Sequence, residues 1–188
     1  MPDRELTIEV MRELIDYDPQ MGTLTWRARR PEMFVGADQR PEHSCKIWNS
    51  RNAGRPALAT PNGNGYLHGA IFGKTITAHK AAWAIYHGTW PVHGIDHQNG
   101  ETFDNRIINL RDVPDAENAK NQKRSKRNTS GVTGVTFNRA TGKWVASIKG
   151  GGRQINLGYY PTIEEAAAVR KIAERRFGFH PNHGRIAA

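Results

Sequence analysis

The sequence predicts an α+β fold of short helices and short antiparallel strands, and three observations lead there. Residues 65–88 read as a hairpin followed by a helix. Residues 130–178 read as three strands followed by a helix. Charge divides the chain: residues 1–118 hold 13 Lys and Arg against 15 Asp and Glu, and residues 119–188 hold 14 against 3. The 188 residues suffice for one medium domain or two small ones.

The elements follow in order. Thr7 can cap a helix running to about residue 17, with Leu6, Val10, Met11 and Leu14 on its buried side. Residues 18–22 (Asp-Pro-Gln-Met-Gly) read as a turn into a strand over residues 24–26. Residues 29–64 are rich in Pro, Gly, Asn and Arg without periodicity, so loops with at most short strands are expected. Lys46, Arg51 and Arg55 there could touch phosphates or simply be solvated, and the lone Cys45 reads as incidental. Residues 65–72 form the next strand, Gly73-Lys74 a two-residue turn, and residues 75–78 the returning strand. A helix over residues 79–87 then stops at Gly88. Residues 94–97 (Gly-Ile-Asp-His) lead through a polar loop to a helix starting near Pro114, where Asp115 and Glu117 suit its dipole.

Past that helix, residues 120–128 carry five basic side chains: Lys120, Lys123, Arg124, Lys126 and Arg127. Such a run is a solvated helix end or linker, or a phosphate-tracking segment. Strands near residues 132–138, 143–149 and 153–159 are separated by Ala140-Thr141-Gly142 and by Gly150-Gly151-Gly152. Thr162 and Glu165 make a capping box for an alanine-rich helix to about residue 177. Strand alternation places Trp144, Ala146, Ile148, Ile155 and Leu157 under the helix, with Trp144 in the core. It turns Val145, Ser147, Lys149, Gln154 and Asn156 outward.

Composition narrows the function classes. With one cysteine, no disulfide forms within the chain and no Cys-x-x-Cys zinc knuckle exists. The polar opening, Met1-Pro2-Asp3-Arg4-Glu5, shows no signal core, and no long apolar run suggests a membrane span. A reducing cytoplasm is therefore expected. The net charge of +9, concentrated after residue 118, points to a polyanion; a merely soluble basic surface is the alternative.

Residues 96–118 carry the chemistry. Asp96 and His97 are adjacent, Asp104-Asn105 and Asn109-Leu110 follow, and Glu117-Asn118 closes the set. Asn109 and Asn118 lie twelve and twenty-one residues past His97. Each residue alone could be a turn former or a surface group. Together the order and spacing resemble the HNH nuclease motif, the ββα-metal site that cuts phosphodiester bonds. The resemblance implies a ββα-metal nuclease core, with His97 as general base and Asn109 orienting its loop. It also implies that Asp96 and Asn118 hold one divalent cation, Mg2+ or Mn2+. Histidine suits proton abstraction near neutral pH, and oxygen donors suit a hard cation. The last position is often histidine in the family and is asparagine here, as in one branch of it. Residues 14–26 resemble a scaffold module found ahead of phage-type HNH domains. His79-Lys80 matches a His-Arg pair of the same branch; His79 could contact DNA or fix the helix start.

Gly134-Val135, Gly142-Lys143-Trp144, Leu157-Gly158-Tyr159-Tyr160 and Glu164-Glu165-Ala166-Ala167 resemble the APETALA2-type DNA-binding domain over some fifty residues. Its sheet face would offer Thr136, Asn138, Arg139, Lys143, Ser147, Lys149, Gln154 and Asn156 to a major groove, where Gln and Asn read adenine and Lys reaches guanine or phosphate. An ordinary solvated sheet face is the alternative. The expected organisation is a helix, hairpin and loop scaffold (1–64), a nuclease core (65–119), a basic linker (120–129), a DNA-binding domain (130–180) and a tail (181–188).

The combined expectation resembles a homing endonuclease of phage or mobile-intron type. It would be a monomer in solution that nicks duplex DNA, in a bacterial host's cytoplasm at the nucleoid. It would use no small-molecule cofactor and no membrane. A catalytically silent DNA-binding regulator is the alternative, and an RNA-directed protein ranks below it because no paired aromatic platform is evident.

Overall fold

The computed structural model describes residues 5–35 and 40–186. Residues 1–4, which make up most of the polar opening, and the last two residues of the tail lie outside them. The fold is mixed α+β, in two compact units, residues 1–113 and 114–188. The first holds 13 Lys and Arg against 13 Asp and Glu, and the second 14 against 5. The entire net positive charge therefore belongs to the second unit.

The first unit opens with α1 (Ile8–Leu14), capped by the Thr7 hydroxyl, which accepts from the Val10 N–H at 3.3 Å. The helix stops three residues short of the expected end. Ile15 instead begins β1 (Ile15–Asp18), which pairs antiparallel with β2 (Thr23–Trp26). Pairing across the Asp18–Gly22 turn wins because it buries Ile15 and Leu24 in the core.

The expectation for residues 29–64 needs correction. A single turn of 3-10 helix (Pro31–Phe34) is followed by α2 (Pro41–Asn52), twelve residues long. Pro41 suits a first helical turn, with Glu42 beside it and Arg51 in the last turn. Its few apolar residues make the helix hard to see by periodicity. It is held by specific contacts instead: Trp48 meets the edge of Trp26 at 5.7 Å, and the Arg29 guanidinium lies 3.7 Å over Trp48. Cys45 is not incidental either. It is buried, and its thiol donates to the Arg29 carbonyl at 3.0 Å, which also accepts from Asn49 Nδ2.

Strands β3 (Thr60–Pro61), β4 (Leu67–Ile71) and β5 (Lys74–Thr77) form a small antiparallel sheet in that order. The β4–β5 turn is Phe72-Gly73, one residue earlier than expected; both have positive φ, the conformation of a type I′ hairpin. Helix α3 (Ala78–His87) follows, and Gly88 ends it in the left-handed conformation, as expected. Strands β6 (Gly94–His97) and β7 (Leu110–Val113) then pair, with His97 opposite Leu110 and Asp96 opposite Arg111. One core joins these pieces: Met11, Leu14, Ile15, Leu24, Ile71, Ile76, Ala81, Ala82, Ile95 and Leu110 are buried together. The N-terminal helix and hairpin thus share a core with the strands that carry Asp96 and His97.

The second unit begins with α4 (Asp115–Asn118) and a 3-10 turn (Ala119–Asn121). Strands β8 (Val135–Asn138), β9 (Lys143–Gly150) and β10 (Arg153–Tyr160) form an antiparallel sheet with β9 central. Helix α5 (Ile163–Arg176) packs on it, capped by Thr162, whose hydroxyl accepts from the Glu165 N–H. Val135, Ala146 and Ala166 are fully buried between them. A bulge at Leu157 shifts the β9–β10 register. Leu157 and Gly158 consequently both lie toward the helix side, and Tyr159 emerges opposite Val145 on the outer face. Beneath α5, buried Arg170 donates to buried Glu174 at 3.0 Å and lies 3.4 Å from His183. Residues 120–124, expected within a linker, are bonded to the C-terminal segment. The Lys120 carbonyl accepts from His180 N–H, that of Gln122 from Gly184, and Arg124 N–H donates to Arg185.

Candidate active site

His97 ends β6, and the chain then leaves the hairpin for a twelve-residue excursion before β7. That loop is tied internally. The Asn109 side chain accepts from the Asn99 N–H at 2.9 Å and donates to the Asp104 carbonyl at 2.8 Å. Its carbonyl also accepts from Gln98 N–H. Asn109 is buried and clips both ends of the loop together, so its geometry suits an orienting residue rather than one that meets a substrate. Asp104 is gripped by Arg106 through two hydrogen bonds of 2.8 and 2.6 Å, which hold its carboxyl down at about 2.

Asp96 and His97 are consecutive strand residues, so their side chains leave β6 on opposite faces. Both are buried. Asp96 Oδ2 accepts from Arg111 Nη2 at 2.6 Å, directly across the ladder. Only 3 % of His97 meets solvent. Its Nε2 lies 3.3 Å from Asn105 Oδ1. Tyr66 and His79 flank the ring, with centroids 5.9 and 5.2 Å away. His79 Nε2 bonds the Thr77 hydroxyl at 3.1 Å, at the start of α3. The helix-start bond read for His79 is formed. Burial, and secondarily His97, push His79 down to about 3, so it stays uncharged near neutral pH.

Two further segments of the first unit hold this loop from outside. The Tyr17 hydroxyl donates to the Asn105 carbonyl at 2.8 Å, and Ile107 N–H donates to the Pro19 carbonyl at 3.1 Å. The Thr102 hydroxyl bonds the Gly65 carbonyl. Gly22, with φ +72°, passes so close that a Cβ there would lie 2.6 Å from the Asn105 carbonyl carbon.

Asp96, His97 and Asn109 thus come together on one hairpin and its loop. Asn118 ends α4, half-buried, four residues inside the second unit. Among the described residues no three His, Cys, Asp or Glu side chains gather as a metal cluster. Asp96 and Asn118 each carry an oxygen donor, the kind that suits Mg2+ or Mn2+.

The nucleic-acid candidates of the basic run and the three-stranded sheet lie in the second unit. Lys126, Arg127, Thr136, Arg139, Lys143, Lys149, Gln154 and Asn156 are exposed. Lys120, Lys123, Arg124, Asn138 and Ser147 are half-buried. Five make side-chain bonds within the unit: Arg124, Asn138, Ser147, Gln154 and Asn156, whose Oδ1 accepts from the Gly158 N–H at 2.9 Å. Arg124 donates to the Gly131 carbonyl, and Asn138 Oδ1 accepts from Ala140 and Thr141 N–H to cap the β8–β9 turn. Gln154 donates to the Ser147 hydroxyl at 2.7 Å across the outer face. Sequence reading assigned no role to Tyr17, Tyr66, Asn105 or Arg111. Only Arg111 had a legible signal: hairpin pairing of His97 with Leu110 places it opposite Asp96.

The HNH endonuclease family model matches residues 77–120, which hold α3, the β6–β7 hairpin and α4. The match takes in Asp96, His97, Asn109 and Asn118, and it supports an HNH nuclease acting on DNA. No curated protein and no solved structure matches the chain. Among the described residues no helix is long and apolar enough to cross a membrane.

Proposed function

We propose that the protein is a metal-dependent, site-preferring endonuclease that nicks duplex DNA, with His97 as general base. The observation that carries this reading is the β6–β7 hairpin. It presents an arginine-paired aspartate and a ring-flanked histidine at adjacent positions, with Asn109 clipping the loop beyond them.

His97 takes a proton from water as the water oxygen bonds phosphorus. The P–O3′ bond breaks with its electron pair on the 3′ oxygen. Asp96 and Asn118 would hold one Mg2+ or Mn2+ ion, which when bound offsets charge on the phosphate and the leaving oxygen. Arg111 pins one carboxylate oxygen of Asp96 and so fixes how Asp96 faces a cation. General-base catalysis of this kind contributes about 10²–10⁴-fold.

The second unit carries the positive field, and its exposed sheet face carries Thr136, Lys149, Gln154 and Asn156. In the proposed reading this APETALA2-like face docks in a major groove and the basic segment around Lys126 and Arg127 follows the backbone. Tyr159, also exposed on that face, joins it. A monomer with one such site cuts one strand.

The test is cleavage of duplex DNA by wild type and Asp96→Ala across a Mg2+ titration, with EDTA as control. Wild type should cleave only with metal, and the variant should need far more metal or fail. A variant with the wild-type metal dependence would remove Asp96 from the ion.

A further inference from the structure

We propose that the bulge at Leu157 builds an apolar row of Thr136, Val145 and Tyr159 across the outer sheet face of the second unit, and that this row reads thymine through its 5-methyl group. The inference rests on the proposed docking of that face in a major groove and adds the base it selects.

Residues directly opposite each other in a ladder share a face. Val145 stands opposite Thr136 on β8 and opposite Tyr159 on β10. Its neighbour Ala146 is fully buried under α5, so Val145 and its two partners turn outward. Thr136 and Tyr159 are exposed, with Val145 half-buried between them. Without the bulge, the pairing that runs from Gln154 to Asn156 would set Tyr159 opposite Trp144, on the inner face. The extra residue re-aims it.

The bulge is held by its own neighbours. Asn156 Oδ1 accepts from the Gly158 N–H at 2.9 Å, and the Tyr160 hydroxyl donates to the Leu157 carbonyl at 2.7 Å. Gly158 has φ +127°, and a Cβ there would lie 2.8 Å from the Tyr160 hydroxyl oxygen, so the position demands glycine. Tyr159 is therefore presented on the outer face by a fixed element of backbone rather than by a mobile loop.

The row lies between polar ones. Asn138 and Lys143 pair on one side of it and Ser147 and Asn156 on the other, with Lys149 and Gln154 beyond. A major groove matches this mixture. Asn and Gln pair with adenine edges, Lys reaches guanine or phosphate, and the thymine 5-methyl is the apolar group that an unmodified groove displays. An isopropyl group, a threonine methyl and a tyrosine ring are apolar partners for it. The unit's 14 Lys and Arg against 5 Asp and Glu supply the attraction to the duplex, and the row supplies a preference that charge cannot.

The experiment uses the full chain in EDTA, so that binding is read without cutting. Tight-binding duplexes are selected from a random-sequence library, and the best is remade with deoxyuridine in place of each thymine in turn. Uracil keeps the pairing edge of thymine and lacks only the methyl. By gel shift, wild type should lose about fourfold in affinity at one or more of these positions, the worth of one buried CH2-sized group. Tyr159→Ala and Val145→Ala should bind the thymine and uracil duplexes alike. Gln154→Ala should bind both more weakly and keep the wild-type ratio between them. A selected site without thymine overturns the proposal, as does wild-type binding that ignores the methyl. So does the full wild-type ratio in Tyr159→Ala, an exposed position that decides the matter even if Val145→Ala does not fold. No duplex binding by wild type strikes the docking reading and this proposal together, whereas equal binding of the two duplexes strikes this proposal alone.

Discussion

His79 gives the first unit a definite response to acid. Its ring is buried against His97 and Tyr66, its Nε2 is committed to Thr77, and its Nδ1 is buried without a partner. Charging it would place an imidazolium in that setting, and burial accordingly moves its pKa to about 3 from an ordinary 6.5. The unfolded chain binds this proton near pH 6.5 and the folded chain only near 3. Between those values the unfolded state holds more protons. The stabilisation is therefore full above pH 6.5 and is lost as pH falls toward 3. From pH 7 to 4.5 the loss from this one group is about 2.5 kcal/mol. His79→Gln keeps a polar group beside Thr77 and removes the titration. Urea unfolding of both proteins at the two pH values, followed by tryptophan fluorescence, isolates the difference. His183 and the carboxylates contribute alike to each. With m of about 1–1.5 kcal/mol/M, the wild-type midpoint should fall roughly 2 M further than the variant's. Parallel falls in the two proteins would refute the reasoning.

Gly22→Ala should destabilise the first unit by about 3 kcal/mol, from the positive φ together with overlap on Asn105, and lower its Tm by roughly 10 °C. A thermal melt checks this, and an unchanged Tm would mean the hairpin does not press on the loop of residues 98–109. Replacing exposed Lys126 and Arg127 with Gln should weaken DNA binding evenly across sequences and reduce the slope of log K against log salt by about 2. Gel shifts over a salt series measure it, and an unaltered slope would take both residues off the phosphates.

Local signals were readable wherever one residue had one job. Thr7 and Thr162 cap the helices their positions suggest, and Gly88 stops α3. Alternation assigned the inner and outer sheet residues of the second unit, because each strand has one face against α5. Helix α2 was illegible because it is held by Arg29, Trp26 and Trp48 rather than by an apolar stripe. The HNH resemblance singled out Asp96, His97 and Asn109, which the structure carries on one hairpin and its loop. The groups around them were hidden for a different reason. Tyr17 is 88 residues from Asn105, and Tyr66 and His79 belong to other elements than His97. Only the shared core of the first unit brings them together.

The central claim is that His97 is the base of a DNA-cutting site. Its most direct test is conversion of a supercoiled plasmid carrying DNA from beside this protein's own gene, by wild type and His97→Ala in Mg2+, Mn2+ and EDTA. The account predicts open circles from wild type alone, only with metal, while both proteins shift the same DNA equally on a gel. Cleavage by His97→Ala at the wild-type rate would contradict it. So would DNA binding by both proteins with no cleavage in either metal.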